Sequence, residues 1–467
     1  MPSRSNPDSP YDVAIIGGGV VGAAVARRFT LEGASVVLLE KGADILSGAS
    51  KGNSAILHTG FDAPEGSLEL ACMQAGYGEY LSIREGLGLP LLETGALVVA
   101  WTPVEQAQLD GILQRAHANG VSDTRAVTAA QVRALEPGLA DTALGAVLVP
   151  GEHLIDPWSA PLAYLMQAVL NGATVLRNCE LLAGTFDGAR WVLDTSQGPV
   201  RARHAINCAG LYGDVVQERL TGERPFEIKP RKGQFIVFDK IAHDLLKRII
   251  LPVPNERTKG VVLTRTVFGN LLVGPTAEEQ PERDFGTVDT ETLEQLRTTA
   301  IQIVPALQNV PVTAVYAGIR PATERKEYRV SHDPARNLIV AGGIRSTGLT
   351  AALGIAQHLF NLYAEAAEHP MAIAEPKGWS APNLAEHCPR DWQSPGYGEI
   401  ICHCEMVTRR EIQAALGGPL PAGDIGGLKR RTRAGMGRCQ GFYCNAAVAR
   451  ITAGRFADPL ATGGRDD

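Results

Sequence analysis

Four of the eight cysteines fall in two tight pairs near the end of the chain, in Ile401-Cys402-His403-Cys404 and in Cys439-Gln440-Gly441-Phe442-Tyr443-Cys444. The other four, Cys72, Cys179, Cys208 and Cys388, stand alone. A disulfide framework suits a small secreted domain, not a chain of 467 residues. Two close pairs brought together by a fold make one tetrathiolate site, for zinc or for an iron–sulfur cluster. Zinc would make this end of the chain a structural knot; iron–sulfur would make it an electron relay. Structural zinc pairs typically leave about two to four residues between cysteines, and Cys-x-Cys is tighter than that. Residues 401–455 also carry nine Lys/Arg (Arg409, Arg410, Lys429, Arg430, Arg431, Arg433, Arg438, Arg450, Arg455) against three acids, Glu405, Glu411 and Asp424. Positive charge beside an anionic four-thiolate cluster eases its reduction. Both features favour iron–sulfur.

The other end of the chain predicts a dinucleotide site. Tyr11-Asp12-Val13-Ala14-Ile15-Ile16 reads as a short apolar strand. It runs into Gly17-Gly18-Gly19-Val20-Val21-Gly22 and a helical stretch from Ala23 to Leu31. Gly33 ends that helix, and a second strand, Ser35 to Leu39, stops at Glu40. This is the strand, G-x-G-x-x-G, helix, strand, acid order in full. Gly17 permits the tight turn and Gly19 lets backbone amides approach a pyrophosphate at the helix N-terminus. Gly22 allows close packing of helix on strand, and Glu40 accepts hydrogen bonds from a ribose diol.

Later segments supply further ends of strands and helices. Residues 103–140 predict two helices, with Thr128 as an N-cap. Ala205-Ile206-Asn207-Cys208-Ala209-Gly210 closes one strand. Leu338 to Gly343 closes another and leads through Ile344-Arg345-Ser346-Thr347-Gly348-Leu349-Thr350 into a helix. That helix N-terminus can stabilise negative charge on a ligand. The Gly/Ser-rich loop from Ser47 to Gly60 contains Lys51, Asn53, Ser54 and His58 and follows Glu40 closely.

These motifs resemble known families. ICHCE at 401–405, a helix start at Thr408 and RRTRAGMGRCQGFYC at 430–444 resemble the BFD-like [2Fe–2S] domain. Residues 10–370 resemble the DAO superfamily of FAD enzymes, which includes glycine oxidase, sarcosine oxidase, L-2-hydroxyglutarate oxidase and glycerol-3-phosphate dehydrogenase. With the cluster domain added, the chain is most similar to the GlpA-like subunit of anaerobic glycerol-3-phosphate dehydrogenase. The resemblance implies FAD and a [2Fe–2S] cluster held by Cys402, Cys404, Cys439 and Cys444. Contacts to FAD are implied for Gly17, Gly19, Gly22, Glu40, Lys41, Ser50, Asn53, Ser54, Ala209, Gly210, Gly343, Gly348, Leu349 and Thr350. The stretch Asn53-Ser54 to His58 resembles the loop that brings a histidine near the flavin. His58 there is either the base for a substrate hydroxyl or a contact of the flavin loop. Gly318-Ile319-Arg320-Pro321 resembles the strand end whose arginine clamps a substrate anion, a task suited to a planar fork of donors. Arg345 and Arg265 are further anion candidates.

The fold class expected is α/β: a Rossmann-like FAD-binding domain, an antiparallel-sheet α+β substrate domain, and a small helical iron–sulfur domain. The FAD-binding domain is assigned to 11–100, 140–225 and 310–370, and the substrate domain to 101–139 and 226–309. A linker is assigned to 371–398, the cluster domain to 399–456, and polar tails to 1–10 and 457–467. The first tail lacks the apolar stretch of a signal peptide, and no apolar run approaches the length of a membrane span. The chain carries 44 Lys/Arg against 50 Asp/Glu, so the basic segment sits on an otherwise acidic body, and the cysteine pattern explains it better than a nucleic-acid surface does. The expected activity is oxidation of a small anionic CH–OH substrate, glycerol 3-phosphate or an L-2-hydroxy acid. Electrons would pass through the cluster to a second flavoprotein or a quinone-linked subunit in a hetero-oligomer. The alternatives are an amine or opine dehydrogenase and a non-catalytic electron-transfer subunit. The expected location is the cytoplasm, or the inner-membrane surface where a partner holds the chain there.

Overall fold

The computed structural model describes residues 9–254, 260–366 and 370–460. Residues 1–8 and 461–467 of the expected tails lie outside the described residues. Tyr11–Ile16 forms the middle of a sheet, parallel to Val36–Leu39 on one side and to Gly198–Asn207 on the other. Thr174–Leu176 extends the first side and Leu338–Gly342 the second, both in parallel. Such strands are covered on both faces and so read as near-continuous apolar runs. Their alternation still sorts the core. Val13 and Ile15 pack toward the helices Val20–Leu31, Ser159–Leu170 and Gly348–Ala366. Ala14 and Ile16 pack toward Trp191, Leu193 and the helix Gly213–Thr221. The carboxyl ends of the parallel strands, at Ile16, Leu39, Asn207 and Gly342, open on one crevice.

A second sheet of nine strands covers that crevice. Ile228–Phe238 and Val312–Thr323 pair antiparallel along nearly their whole lengths, from Ile228 opposite Thr323 to Gln234 opposite Ala317 and beyond. The expected fold class holds, but three expected boundaries do not. Ala96–Ala100 and Gly145–Val149 pair with each other in this second sheet, and Val312–Thr323 also belongs to it, not to the FAD-binding sheet. The first two strands are apolar throughout and buried on both faces, like the strands of the parallel sheet. Their composition therefore carries no sign of which sheet they join; long-range pairing decides it. Between them lie three short helices, where two were expected, and Thr128 caps the last with a reciprocal bond to Gln131.

Residues 371–398 wrap over the body, with one short helical turn at Asp391–Gln393. Buried Ala381, Leu384 and Ala385 anchor them. Ile400–Cys402 and Val407–Thr408 then form a small hairpin, followed by the helices Arg409–Ala415, Ile425–Thr432 and Asn445–Ile451. Among the described residues no helix is long and apolar enough to cross a membrane.

The cluster domain is docked by charge. Arg431 grips Asp44 with two hydrogen bonds of 2.5 and 2.8 Å, and both side chains are almost fully buried. The Gly423 amide donates to the same carboxylate, and Arg177 reaches across to the Pro421 carbonyl at 2.6 Å. A Cβ on Gly427 would lie 1.5 Å from Asp44 Oδ2, and one on Gly423 would lie 1.8 Å from the Ala43 carbonyl oxygen. The helix can thus sit on the 42–46 loop only because its contact face is bare. Arg433 pairs with buried Glu405 at 2.7 Å, Arg438 with Asp239 at 2.8 Å, and Arg410 with Asp391 at 2.8 Å. Much of the positive charge in 401–455 is therefore not free to ease reduction of a cluster, as its abundance in the sequence suggests. It holds domains together and is neutralised by partner acids.

Removing one member of a buried pair leaves the other charged and desolvated, at a cost of about 3–5 kcal/mol, whereas replacing both with apolar groups is often neutral. Arg431→Met is therefore expected to release the cluster domain, seen as rapid proteolysis in the linker. Asp44→Leu combined with Arg431→Met is expected to restore protection. Equal protease sensitivity of the single and double variants would show that docking rests on other contacts.

Candidate functional site

The crevice between the two sheets holds a long cavity. Its walls are Gly17–Val21, Leu39–Lys41, Ser47–Ser54, Cys208–Tyr212, Gly318–Pro321, Ile344–Ser346, Gly348 and Leu349. The three motif glycines do different work. Gly17 has φ +110°, and a Cβ there would lie 2.5 Å from the Cys208 carbonyl oxygen. A Cβ on Gly22 would lie 1.9 Å from the Gly17 carbonyl oxygen. These two close the strand–helix turn. A Cβ on Gly19 meets only Ser50 Oγ, at 3.2 Å, and otherwise opens on the cavity. The Val20 amide, at the helix N-terminus, donates to Ser50 Oγ at 3.0 Å. Glu40 is buried and accepts from the Gly18 and Gly42 amides at 2.8 and 2.7 Å. Burial pushes its pKa up, and those two amides oppose the shift.

Most of the expected cofactor residues line this cavity, but three do not. Gly22 lies beneath it as a packing residue. Gly343, at φ +65°, turns the chain from strand into loop. The Thr350 hydroxyl accepts from the His58 amide at 3.0 Å and donates to the Ile56 carbonyl at 3.3 Å, stitching the long helix to the His58 segment. Asn53 is on the wall, yet its side chain braces its own loop through the Ser50 carbonyl and the Ala55 amide. Lys41 stands 3.5 Å over the ring of Tyr212 and 3.3 Å from Asp284.

Two of the three arginine candidates face the cavity. Arg320 donates only to backbone carbonyls, of Thr276 at 2.6 Å, Lys232 at 3.2 Å and Arg231 at 3.5 Å, and makes no ion pair among the described residues. Burial, with Arg231 and Arg345 nearby, pushes its pKa down to about 10. Arg345 approaches Glu69 only to 4.0 Å, and its buried Nε has no partner. Arg265 is elsewhere. Its strand, Val262–Arg265, is separated from Ile228–Phe238 by Leu271–Gly274, and its guanidinium is against His243. It lies on the same side of the strand as Leu263, which faces the interior of the second sheet and not the crevice.

His58 Nδ1 is 2.7 Å from Glu152 Oε2, and the Thr59 amide and hydroxyl donate to Oε1 at 2.6 and 2.8 Å. Glu152 is fully buried. Nothing in the residues around Glu152 signals this role; the antiparallel pairing of Leu57 with His153 brings it beside His58. His153 is a strand residue, and Asp156 caps the following helix through the Trp158 and Ser159 amides.

The four paired cysteines meet at one end of the cluster domain. Cys404 lies beside Cys439, and Cys402 beside Cys444. Among the described residues no three His, Cys, Asp or Glu side chains converge on a single metal ion. The four thiols lie close enough to interact across the two pairs, as one four-thiolate cluster site requires. The Tyr443 amide, followed by those of Gly441 and Phe442, points at the Cys439 sulfur and pulls its pKa below the usual thiol value, while burial pushes Cys444 up to about 12. Met406 and Gln440, next to the cysteine turns, both take left-handed backbone angles. A Cβ on Gly437 would lie 2.4 Å from Cys404 Cβ, so a bare glycine lets the two turns close. His403 is exposed.

Contacts run from this site to the cavity wall. Glu405 holds Arg433, whose guanidinium lies 4.0 Å over the ring of Phe268. Phe268 stacks on Trp158 at 5.5 Å, and Trp158 Nε1 donates to the Lys51 carbonyl at 3.1 Å.

Residues 12–362 match the family described as FAD dependent oxidoreductase (DAO), and residues 400–453 match the BFD-like [2Fe-2S] binding domain. The chain belongs to the DAO family of FAD-dependent oxidoreductases. It is 32% identical to a glycerol 3-phosphate dehydrogenase of Caloramator mitchellensis, over 95% of this chain and 94% of that protein. It is 24% identical to one of the subunits of the anaerobic glycerol-3-phosphate dehydrogenase of Escherichia coli K12, over 97% of this chain and 89% of that one. The fold is similar to that of the L-alpha-glycerophosphate oxidase of Mycoplasma pneumoniae with FAD bound. There the TM-score is 0.75 and the identity 24%, over 80% of this chain and all of that one. FAD and a [2Fe–2S] cluster are the cofactors of this oxidoreductase. The cavity opposite Gly19 and the paired thiols are where its residues fit them.

The glycine geometry separates binding from folding. Gly19→Val is expected to give a folded protein that purifies without flavin, and Gly22→Val a protein that fails to fold, read by circular dichroism and flavin absorbance. Full flavin content in the Gly19 variant would move the pyrophosphate site elsewhere. At the other end, Gly437→Val is expected to lose iron and labile sulfide while flavin content stays normal. An unchanged iron content would show that the turns tolerate a side chain there.

Proposed function

We propose that the chain is the catalytic subunit of a dehydrogenase that oxidises glycerol 3-phosphate and delivers the electrons through its cluster to a protein partner. The observation that carries this reading is the pair of cavity-facing guanidinium groups. Arg320 has no ion pair among the described residues and Arg345 has only a distant one. A buried cation left without an acid is costly unless a bound anion completes it. Two such cations suit a phosphomonoester dianion better than a single carboxylate, since each planar fork can take two oxygens. Bound FAD supplies hydride acceptance and the cluster single-electron transfer. The residues of the chain do the rest. Arg320 and Arg345 hold the anion and so fix the carbon that loses hydride. His58, which is not itself among the wall residues, is assigned the hydroxyl proton, and Glu152 orients its ring through Nδ1. The second sheet covers one side of the cavity. The contact run from Lys51 through Trp158, Phe268 and Arg433 supports exchange between cavity and cluster.

The alternatives fit less well. A monocarboxylic L-2-hydroxy acid needs one fork and leaves the second arginine without a task, while a dicarboxylic one would use both and is separated from the phosphate ester only by turnover. An amine or opine substrate does not need His58 as a base. A subunit that only shuttles electrons has no use for an uncompensated guanidinium in a closed cavity. Mixing the protein anaerobically with glycerol 3-phosphate, L-2-hydroxy acids and N-substituted amino acids, and following flavin bleaching, ranks these readings directly. Bleaching by a hydroxy acid or an amine, and not by the phosphate ester, would overturn the first.

Arg320→Ala is expected to lower kcat/KM by about 2–5 kcal/mol of transition-state binding, with flavin content unchanged. Arg345→Ala should narrow the preference for glycerol 3-phosphate over a monocarboxylate. Unchanged kinetics in both variants would remove the clamp. Because the Arg320 pKa lies near 10, its charge is complete at neutral pH and is lost as pH rises through that value. KM for the anion is therefore expected to climb above about pH 9, and a bound dianion should push the onset higher.

A further inference from the structure

The cysteine site has an inner and an outer edge. Cys402 and Cys444 are buried, and Cys404 and Cys439 are only half-buried. The turn joining Cys439 to Cys444 places Phe442 and Tyr443 at 82% and 76% exposure. Their rings pack on each other edge-to-face, with centroids 5.1 Å apart. Two adjacent large aromatics projecting into water have no role in the fold of this turn; the backbone amides of these residues, not their rings, serve the Cys439 sulfur. Exposed aromatics of this kind are favoured anchors of protein interfaces. The free charge of the cluster domain is one-sided. The three acids of 401–455 are engaged internally: Glu405 by Arg433 and Lys240, Glu411 by the Thr408 cap, and Asp424 by the start of its own helix. Arg450 and Arg455 are exposed and make no ion pair among the described residues, and His403 is exposed between two of the cysteines.

We infer that Phe442 and Tyr443 are the docking anchors for a one-electron carrier protein whose contacting face is acidic. This rests on the reading that electrons leave through the cluster, and it adds where they leave and what receives them. A carrier seated on the rings comes against the half-buried cysteine edge, and its acids meet the uncompensated arginines. Complementary charge of this kind raises the association rate and makes binding sensitive to salt. A small, transient interface suffices for electron transfer between proteins.

The test uses the holoenzyme and an acidic flavodoxin as probe, with basic cytochrome c as control. Binding is measured with both proteins oxidised, so it does not depend on the substrate or on turnover. Electron transfer is then followed after photoreduction, with ferricyanide as a small acceptor that needs no docking face. Phe442→Ser with Tyr443→Ser is expected to weaken flavodoxin binding at least 10-fold. The ferricyanide rate and the electron paramagnetic resonance signal of the reduced cluster should not change. Arg450→Glu with Arg455→Glu lies outside the cysteine turn and is expected to weaken binding and flatten its salt dependence; it decides the matter if the first variant loses its cluster. Binding unaffected by either variant, or tighter binding to cytochrome c, would overturn the proposal. So would a wild-type dimer that the aromatic variant converts to monomer, since the face would then belong to a second copy. If docking behaves as expected but glycerol 3-phosphate fails to bleach the flavin, only the substrate reading falls.

Discussion

The buried pair of Asp44 and Arg431 sets the arrangement of the whole chain. Asp44 lies four residues after Glu40, on the loop that leaves the second strand of the parallel sheet. Glu40 faces the cofactor cavity and Asp44 faces the cluster domain, so one short loop serves both. Its geometry is held from both sides. The Gly18 and Gly42 amides fix Glu40, the Leu46 amide bonds the Gly18 carbonyl at 3.0 Å, and Arg431 with the Gly423 amide fixes Asp44. A change in how the cluster domain sits therefore strains the same loop that shapes the cavity. Buried ion pairs give little net stability but penalise misalignment strongly, which suits a joint where position matters more than strength.

The second consequence of that docking is a meeting of three domains at one point. Arg433 comes from the cluster domain, Phe268 from the second sheet, and Trp158 from the FAD-binding side. The Arg433 contact comes from a domain held on one side by the Asp44 joint and on the other by the Lys240–Glu405 contact. The substrate domain is thus more than a cover for the cavity. It supplies a residue between the cavity wall and the cysteine site, so the packing of the second sheet and the seating of the cluster domain are linked.

What could be read from the sequence was whatever depends on residue type at fixed local spacing. The three motif glycines, Glu40 and the two cysteine pairs are of this kind, because a Cβ at Gly17 or Gly22 or a missing thiol is a local contradiction. The Thr128 and Thr408 caps were also local, and both formed. What could not be read was whatever depends on pairing across the chain. Ala96–Ala100 and Gly145–Val149 look like parallel strands and join the other sheet. Arg265 sits in a plausible strand but one remote from the crevice. Glu152 reaches His58 only through a strand pairing that nothing in its neighbourhood announces. The basic stretch misled for the same reason: a run of arginines shows charge, while its counterions, Asp44, Asp239 and Asp391, lie hundreds or tens of residues away.

The distribution of those counterions separates structure from function in this chain. Where arginine is architectural, an acid meets it within about 3 Å, as at Asp44, Glu405 and Asp214. Arg320 departs from that rule. It is held in place by carbonyl oxygens, which orient the guanidinium without neutralising it. Carbonyl dipoles fix the direction of the fork and leave the net charge intact, so a desolvation cost remains that the anion of the proposed function would offset. A side chain oriented in this way is already in its binding geometry, and little reorganisation accompanies the ligand. The same contrast applies at the surface. Arg438 is answered by Asp239, whereas Arg450 and Arg455, on and after the helix that follows the aromatic turn, make no ion pair among the described residues. Arg320 and Arg345 on the cavity wall and Arg450 and Arg455 in the cluster domain are among the cations that no close acid answers, and under the proposed function the substrate anion and the carrier protein supply those acids.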